Sequence, residues 1–251
     1  MFNFFVDEKN KSDNCYYIQG KDFNHIKNVL RMNAGDTFLV SCGGTSDLCE
    51  ITLISSDTVT AEIIEKNYNN TELPIEITLF QGLPKADKME LIIKHTTELG
   101  VSKIVPTEMK RCVVKLDDKK KDNKIARWQT IAESAAKQSK RNIVPTVGSV
   151  MSFKEMLSAV KDYDLFIIPY ENKEGMTATK ENLSAIKKGM KIAILIGSEG
   201  GFEEKEIMEA VSCGGKTISL GKRILRTETA AITAVGMVML YTEANLGGED
   251  K

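Results

Sequence analysis

Two stretches late in the chain concentrate residues able to do chemistry. IGSEGGFEEKEI (196–207) sets Gly197, Gly200 and Gly201 between an apolar run and an acidic, helix-like run. LGKRILRTETA (220–230) crowds Lys222, Arg223 and Arg226 beside Glu228, with Ile224 and Leu225 among them. Glycines remove Cβ atoms, so backbone N–H and C=O groups can approach a flat ligand, which Phe202 could cap. Glu203, Glu204 and Glu206 suit a helix N-terminus. Clustered cations stabilise negative charge that develops in a reaction or resides on a phosphate. Blander alternatives stay open for both: a plain turn for the first stretch, and for the second a salt-bridged loop with two aliphatic core anchors. Neither stretch is a standard phosphate loop. The spacing is not G-x-G-x-x-G in an opening βα unit, and Gly221-Lys222 is followed by Arg223 rather than Ser or Thr.

Both stretches follow apolar strands. DLFIIP (164–169), KIAILI (191–196) and KTISL (216–220) alternate with helical patterns, as do EITLFQGL (76–83) and SKIVP (102–106). Helices are predicted over 86–100, with Met89, Ile92, Ile93, Thr96 and Leu99 on one face, over 123–140 with Trp128 in the buried stripe, and from the Ser-x-x-Glu capping box at Ser152. Alternating strands and helices imply an α/β domain with a mostly parallel sheet and helices on both faces. In such sheets ligands sit at the carboxyl ends of the strands, which places the loops after Pro169, Ile196 and Leu220 in one candidate site. Before residue 70 the pattern differs. TFLVS (37–41), DLCEITLI (47–54) and TVTAEIIE (58–65) alternate with period two and are split by GGTS and SSD, an antiparallel β unit. HIKNVLRMNAGD (25–36) predicts a brief helix ending at Gly35, and NYNNTELP (67–74) a linker. Domains over 1–70 and 75–251 follow.

Composition narrows the chemistry. The net charge of −1 conceals a segregation: residues 110–141 hold eleven lysines and arginines against four acids. Such a segment fits a phosphate-facing surface or, alternatively, a solvated helix face. Five scattered cysteines without a C-x-x-C pair, and only two histidines, offer no metal-ligand spacing and suggest a reducing cytoplasm. No apolar span of 18 residues exists, so membrane insertion is not expected. The segment 227–245 is apolar almost all round from Ala230 to Leu240, which calls for core packing or a subunit interface.

IGSEGGFEEKEI and LGKRILRTETA, taken with RWQTIAESAAKQSKR and HIKNVLRMNAGD upstream, resemble the bacterial 16S ribosomal RNA uracil-N3-methyltransferases of the SPOUT superfamily. The resemblance spans essentially the whole chain, and LGKRILRTETA is its most specific part. It implies a PUA-like N-terminal β-barrel that helps bind RNA, a trefoil-knotted methylase domain, a homodimer, S-adenosylmethionine as cofactor and the small ribosomal subunit as partner, with no metal. It further implies cofactor contacts at Pro169, Glu171, Gly197, Ser198, Gly200, Gly201, Leu220, Gly221, Ile224 and Leu225. Arg226 or Arg223 would stabilise charge on the uracil carbonyls, and Glu228 would be either a base or a structural partner of Arg226. Arg31, Arg127, Lys140, Arg141 and Lys222 are candidate RNA contacts. One departure stands out: an arginine is expected near the N-terminus, where this chain reads MFNFFVDE. The competing functions are a SPOUT methylase of tRNA or of a ribose 2′-OH, and a non-catalytic assembly factor.

Overall fold

A computed structural model describes residues 1–170 and 175–247. The chain divides into two compact units, one of residues 1–72 with 136–144, the other of 73–135 with 145–251.

In the first unit, β1 (Asn3–Phe5), β2 (Cys15–Gln19), α1 (Gly20–Asn24), β3 (Thr37–Cys42), β4 (Thr45–Ile54) and β5 (Thr58–Glu65) follow in chain order. The strands form one sheet in the order β1-β3-β4-β5-β2, a half-barrel whose edge strands β1 and β2 share no ladder among the described residues. Period-two alternation sends Phe4, Tyr16, Ile18, Phe38, Val40, Cys49, Ile51, Val59 and Ala61 to one core. Phe4 meets Phe38 edge to face at 5.2 Å. The predicted helix at HIKNVLRMNAGD is instead a single π-type turn over His25–Leu30. It stops at Arg31, in the left-handed conformation, not at Gly35. Ile26 supplies its only buried side chain, too little apolar periodicity to hold three regular turns.

The segment 136–144 reads as part of the helix 123–140 and its exit, yet it belongs with the half-barrel. Its polar groups explain this. Glu72 accepts hydrogen bonds from Arg141 Nε (3.2 Å) and from the backbone amides of Asn142 (2.9 Å) and Ile143 (3.2 Å). Asn3 Nδ2 and Ser41 Oγ both donate to the Arg141 carbonyl, and Lys137 pairs with Asp22 at 2.8 Å. Nothing in local periodicity signals such contacts.

The second unit contains β6 (Glu76–Gly82), α2 (Lys88–Glu98), β7 (Lys103–Glu108), α3 (Asp118–Gln138, ending in the first unit), β8 (Thr146–Val147), β9 (Met151–Ser152) and α4 (Phe153–Ala159). After these come β10 (Leu165–Pro169), α5 (Met176–Ser184), β11 (Lys191–Ile196), α6 (Glu204–Ser212), β12 (Lys216–Ile218) and α7 (Thr227–Leu246). The strand order is β12-β10-β11-β6-β7-β8, with β9 also on β7, and every pairing is parallel. Strand parity explains the two-faced burial. Ile77, Leu79, Ile167, Ile192 and Ile194 enter one core with Met89 and Ile92 of α2, Trp128 of α3, and Ala234 and Val238 of α7. The intervening Phe80, Phe166, Ile168, Ala193 and Leu195 enter another with Met156 of α4 and Ile207 of α6. A parallel sheet covered on both faces must be apolar at every position, which is why these strands lack polar alternation. Ser152 caps α4 through the predicted capping box. Among the described residues no helix is long and apolar enough to cross a membrane.

Candidate active site

The carboxyl ends of β10 and β12 open into a cavity of about 380 Å³. Pro169, Leu220, Gly221, Lys222, Arg223, Ile224 and Leu225 line it, together with Tyr170, Gly175, Met176, Ser219 and Ala230. The volume falls within the range of pockets that enclose a nucleoside-sized ligand, roughly 300–1,000 Å³. Glu171 lies outside the described residues.

The wall at 219–221 is held in shape from behind. Thr179 Oγ1, buried in α5, donates to the Ser219 carbonyl (2.8 Å) and accepts from the Ser219 amide (3.0 Å). Ser219 Oγ in turn accepts from the Gly221 amide at 3.1 Å. Gly221 has φ +106°, a backbone conformation open to glycine and strained for other residues. The loop is therefore preformed rather than shaped by a ligand.

Beyond it, the cation stretch departs from a bland turn. Ile224 is 92% exposed, so it is not a core anchor. Lys222, Arg223 and Arg226 are exposed and form no ion pair among the described residues. Arg226 is the N-cap residue of α7, with no side-chain capping bond. Among the described residues its side chain thus has no ion pair and no capping bond, at the electropositive start of a 20-residue helix, an arrangement suited to an anion. Glu228 does not partner Arg226. Its Oε2 lies 3.5 Å from Lys88 Nζ, near enough for an ion pair but without hydrogen-bond alignment.

The glycine loop does not line this cavity, and Gly197 and Gly200 lie against protein atoms while Gly201 opens to free space. A Cβ on Gly197 would meet Gly201 backbone atoms at 3.1 Å, and one on Gly200 would meet Arg111 Cβ at 2.9 Å. Ser198 is buried, its hydroxyl donating to the Arg111 carbonyl at 3.1 Å, and a β-bridge joins Ser198 to Gly201. The Gly197 carbonyl accepts from Thr227 Oγ1 at 2.6 Å, and buried Gln81 donates to both Thr227 Oγ1 (2.9 Å) and Gly197 O (3.4 Å). This chain of bonds ties the ends of β6 and β11 to the start of α7. Phe202 is buried in the second core rather than capping a ligand; it meets Tyr170, which does line the cavity, edge to face at 6.3 Å. Tyr170, Thr179, Gln81 and Thr227 escape a reading by motif, since only their tertiary neighbours distinguish them. Gly82 is as constrained as the loop it abuts: a Cβ there would lie 2.6 Å from the Ser198 amide nitrogen. Gly82→Ala is expected to displace the loop and weaken ligand binding at the site by about tenfold, a loss of roughly 1.4 kcal/mol. Titration calorimetry on the variant checks this, and unchanged affinity would refute the close-approach argument.

The candidate RNA contacts fare unequally. Arg31 and Lys140 are exposed, both in the left-handed conformation. Arg127 is exposed but pairs with Glu90 at 2.9 Å, and Lys222 is exposed at the cavity. Arg141 is a correction. At 3% side-chain exposure, with its guanidinium bound to Glu72, it has no surface to offer a phosphate.

Comparison with known proteins follows the two-unit division. Residues 71–239 match the RNA methyltransferase domain family, and residues 18–64 match the RNA methyltransferase PUA domain. The chain is 42% identical to ribosomal RNA small subunit methyltransferase E of Bacillus subtilis (strain 168), covering 93% of each protein. Its counterpart in Mesomycoplasma hyopneumoniae (strain 232) is 33% identical, over 92% of this chain and 96% of that one. A crystal structure of a ribosomal RNA small subunit methyltransferase E from Neisseria gonorrhoeae bound to S-adenosyl methionine superposes with a TM-score of 0.82 at 30% identity, covering 96% and 97% of the respective chains.

Proposed function

As the chain belongs to the RNA methyltransferase family, among the ribosomal RNA small subunit methyltransferases E, we propose that it transfers a methyl group from S-adenosylmethionine to N3 of a uridine in 16S rRNA. The observation that carries this reading is the preformed wall at 219–225, backing a nucleoside-sized cavity and ending in cations that no described acid neutralises. The residues fit the cofactor: Pro169, Leu220, Gly221, Ile224 and Leu225 would offer it backbone groups and apolar surface. Gly197, Ser198, Gly200 and Gly201 act from behind, as the support that keeps the start of α7 in place.

Bound there, the cofactor supplies an electrophilic methyl carbon. Uracil N3 is a poor nucleophile while it carries its proton, so the protein must lower the cost of the anion. Arg226, assisted by Arg223 and the start of α7, holds negative charge on the uracil carbonyls while the N3 proton passes to solvent water. Glu228, ion-paired with Lys88, serves placement rather than proton removal. The PUA unit presents Arg31 and Lys140 to rRNA phosphates, and Lys222 and Arg127 do so in the catalytic unit. The trefoil knot and the homodimer implied by the resemblance belong to this proposal; Leu240 of α7, 63% exposed in the single chain, is a surface that a second copy would cover.

Small subunits from a strain lacking this gene, incubated with enzyme and labelled cofactor, should acquire label at one uridine base. Label on ribose, on tRNA or nowhere would overturn the assignment. Affinity for rRNA should also fall with salt, and Arg31→Ala and Lys140→Ala should each flatten the slope of log K against log salt by about 0.7–0.9, as expected for one lost phosphate contact. An unchanged slope in both variants would remove these residues from the interface.

A further inference from the structure

The segment PKADK (84–88), between β6 and α2, contributes nothing to the cavity wall yet reaches both chain segments that support it. Lys88 opens α2 and places Nζ 3.0 Å from Glu199 Oε1, in the middle of the glycine loop, and 3.5 Å from Glu228 Oε2, in the first turn of α7. The Lys85 amide donates a second bond to the same Glu199 oxygen at 3.0 Å. The side-chain exposures of the two carboxylates are 27% for Glu199, an exposed residue overall, and 15% for Glu228. Glu228 Oε2 is itself fully enclosed, without a hydrogen-bond partner among the described residues, and Lys88 is a cation that faces it. Two acids drawn this close in a partly dry environment repel each other unless a cation sits between them.

The anchor itself is held firmly. Directly after Lys88, Met89, Ile92 and Ile93 bury one face of α2 in the main core. Ala86 takes φ +54°, a left-handed conformation that is strained for an alanine. Backbone strain of this kind persists only where surrounding contacts enforce it, and here the adjoining amide is the one given to Glu199. Burial pushes the Glu199 carboxyl upward, but hydrogen bonds from the Lys85 amide, its own amide and Lys88 outweigh that and hold it below its ordinary range. Lys88 is correspondingly raised, chiefly by its bond to Glu199.

The geometry points to Lys88 as a positioning residue for cofactor binding, an ammonium clamp that fixes the glycine loop against the start of α7. The inference rests on the cofactor reading above. It assigns a task to Glu199, the loop's one acid, which neither glycine chemistry nor the cavity lining explains. Arg226 lies two residues before Glu228, so the clamp also sets the ground from which that guanidinium projects.

Lys88→Met removes the charge while keeping the length and helix preference of the side chain. It should weaken S-adenosylmethionine binding by about tenfold, the scale on which loss of a supporting contact misplaces a binding loop. Lys88→Arg, which can still bridge two carboxylates, should recover to within about threefold of wild type. Lys88→Met combined with Glu199→Gln should lose no more than Lys88→Met alone, as coupled residues do. Calorimetry reads all three, and circular dichroism establishes that each variant is folded. Wild-type affinity in folded Lys88→Met, or equal damage from Met and Arg, would overturn the clamp. Failure of the wild-type protein to bind the cofactor would instead overturn the functional reading on which it rests.

Discussion

Arg226→Ala is expected to lower methylation by about 100-fold or more, the scale seen when one charge-stabilising donor is removed from an active site. The loss should fall on the chemical step. Arg226 makes no ion pair among the described residues and no side-chain capping bond to α7, so removing its guanidinium leaves the fold with nothing to repair. It is also exposed, and its truncation opens no cavity. Thermal stability and cofactor affinity should therefore stay near wild type while single-turnover methylation of small subunits collapses. Arg226→Lys should recover part of the rate, since it retains charge but not the planar pair of donors that could span a carbonyl and its neighbour. Turnover close to wild type in Arg226→Ala would move the anion-stabilising role to Arg223 or to the helix start. Loss of cofactor binding instead would reassign Arg226 to the cavity wall.

The second large effect concerns stability, far from the chemistry. Glu72→Ala should destabilise the half-barrel unit by about 3–5 kcal/mol, as breaking a buried ion pair from one side does. The Glu72 carboxylate satisfies the Arg141 guanidinium and two backbone amides, and Arg141 is almost wholly buried. Removing the acid takes the counter-charge from a nearly buried guanidinium and the acceptor from two backbone N–H groups. Urea unfolding of the full chain, followed by a probe in the half-barrel, should show an earlier transition for this unit. Glu72→Ala with Arg141→Met should recover much of the loss, because the buried guanidinium then leaves together with its carboxylate. A change below about 1 kcal/mol in Glu72→Ala would mean that water reaches Arg141 and that its burial is not maintained in solution.

Arg226 and the Glu72–Arg141 pair are encoded in the sequence to different degrees. Arg226 is recognisable in LGKRILRTETA because three cations around two aliphatics are unusual in a turn, and Ile224 proves to be exposed as a ligand-facing loop requires. The parallel sheet is equally legible, since strands buried on both faces must be apolar at successive positions. Glu72 and Arg141 are not. Arg141 sits in the most basic segment of the chain, where charge counting favours a phosphate contact. Its partner lies 69 residues away, and no local pattern encodes which acid will enclose it.

The same division holds for the molecule at large. Hydrophobic period, caps and turn residues suffice for the strand and helix content of the second unit, for the strand-end loops as the candidate site, and, through the resemblance of two motifs, for the family. These are properties of short windows, in which each residue's neighbours in space are its neighbours in the chain. Folding brought in contacts between residues far apart in the chain. It moved residues 136–144 to the half-barrel and buried Arg141. It packed Gly200 against Arg111 and the start of the glycine loop against Gly82, and it set Lys88 between Glu199 and Glu228. Charge and polar satisfaction govern all of these, and a buried charge finds its counterpart by three-dimensional distance, a quantity that spacing along the chain does not contain.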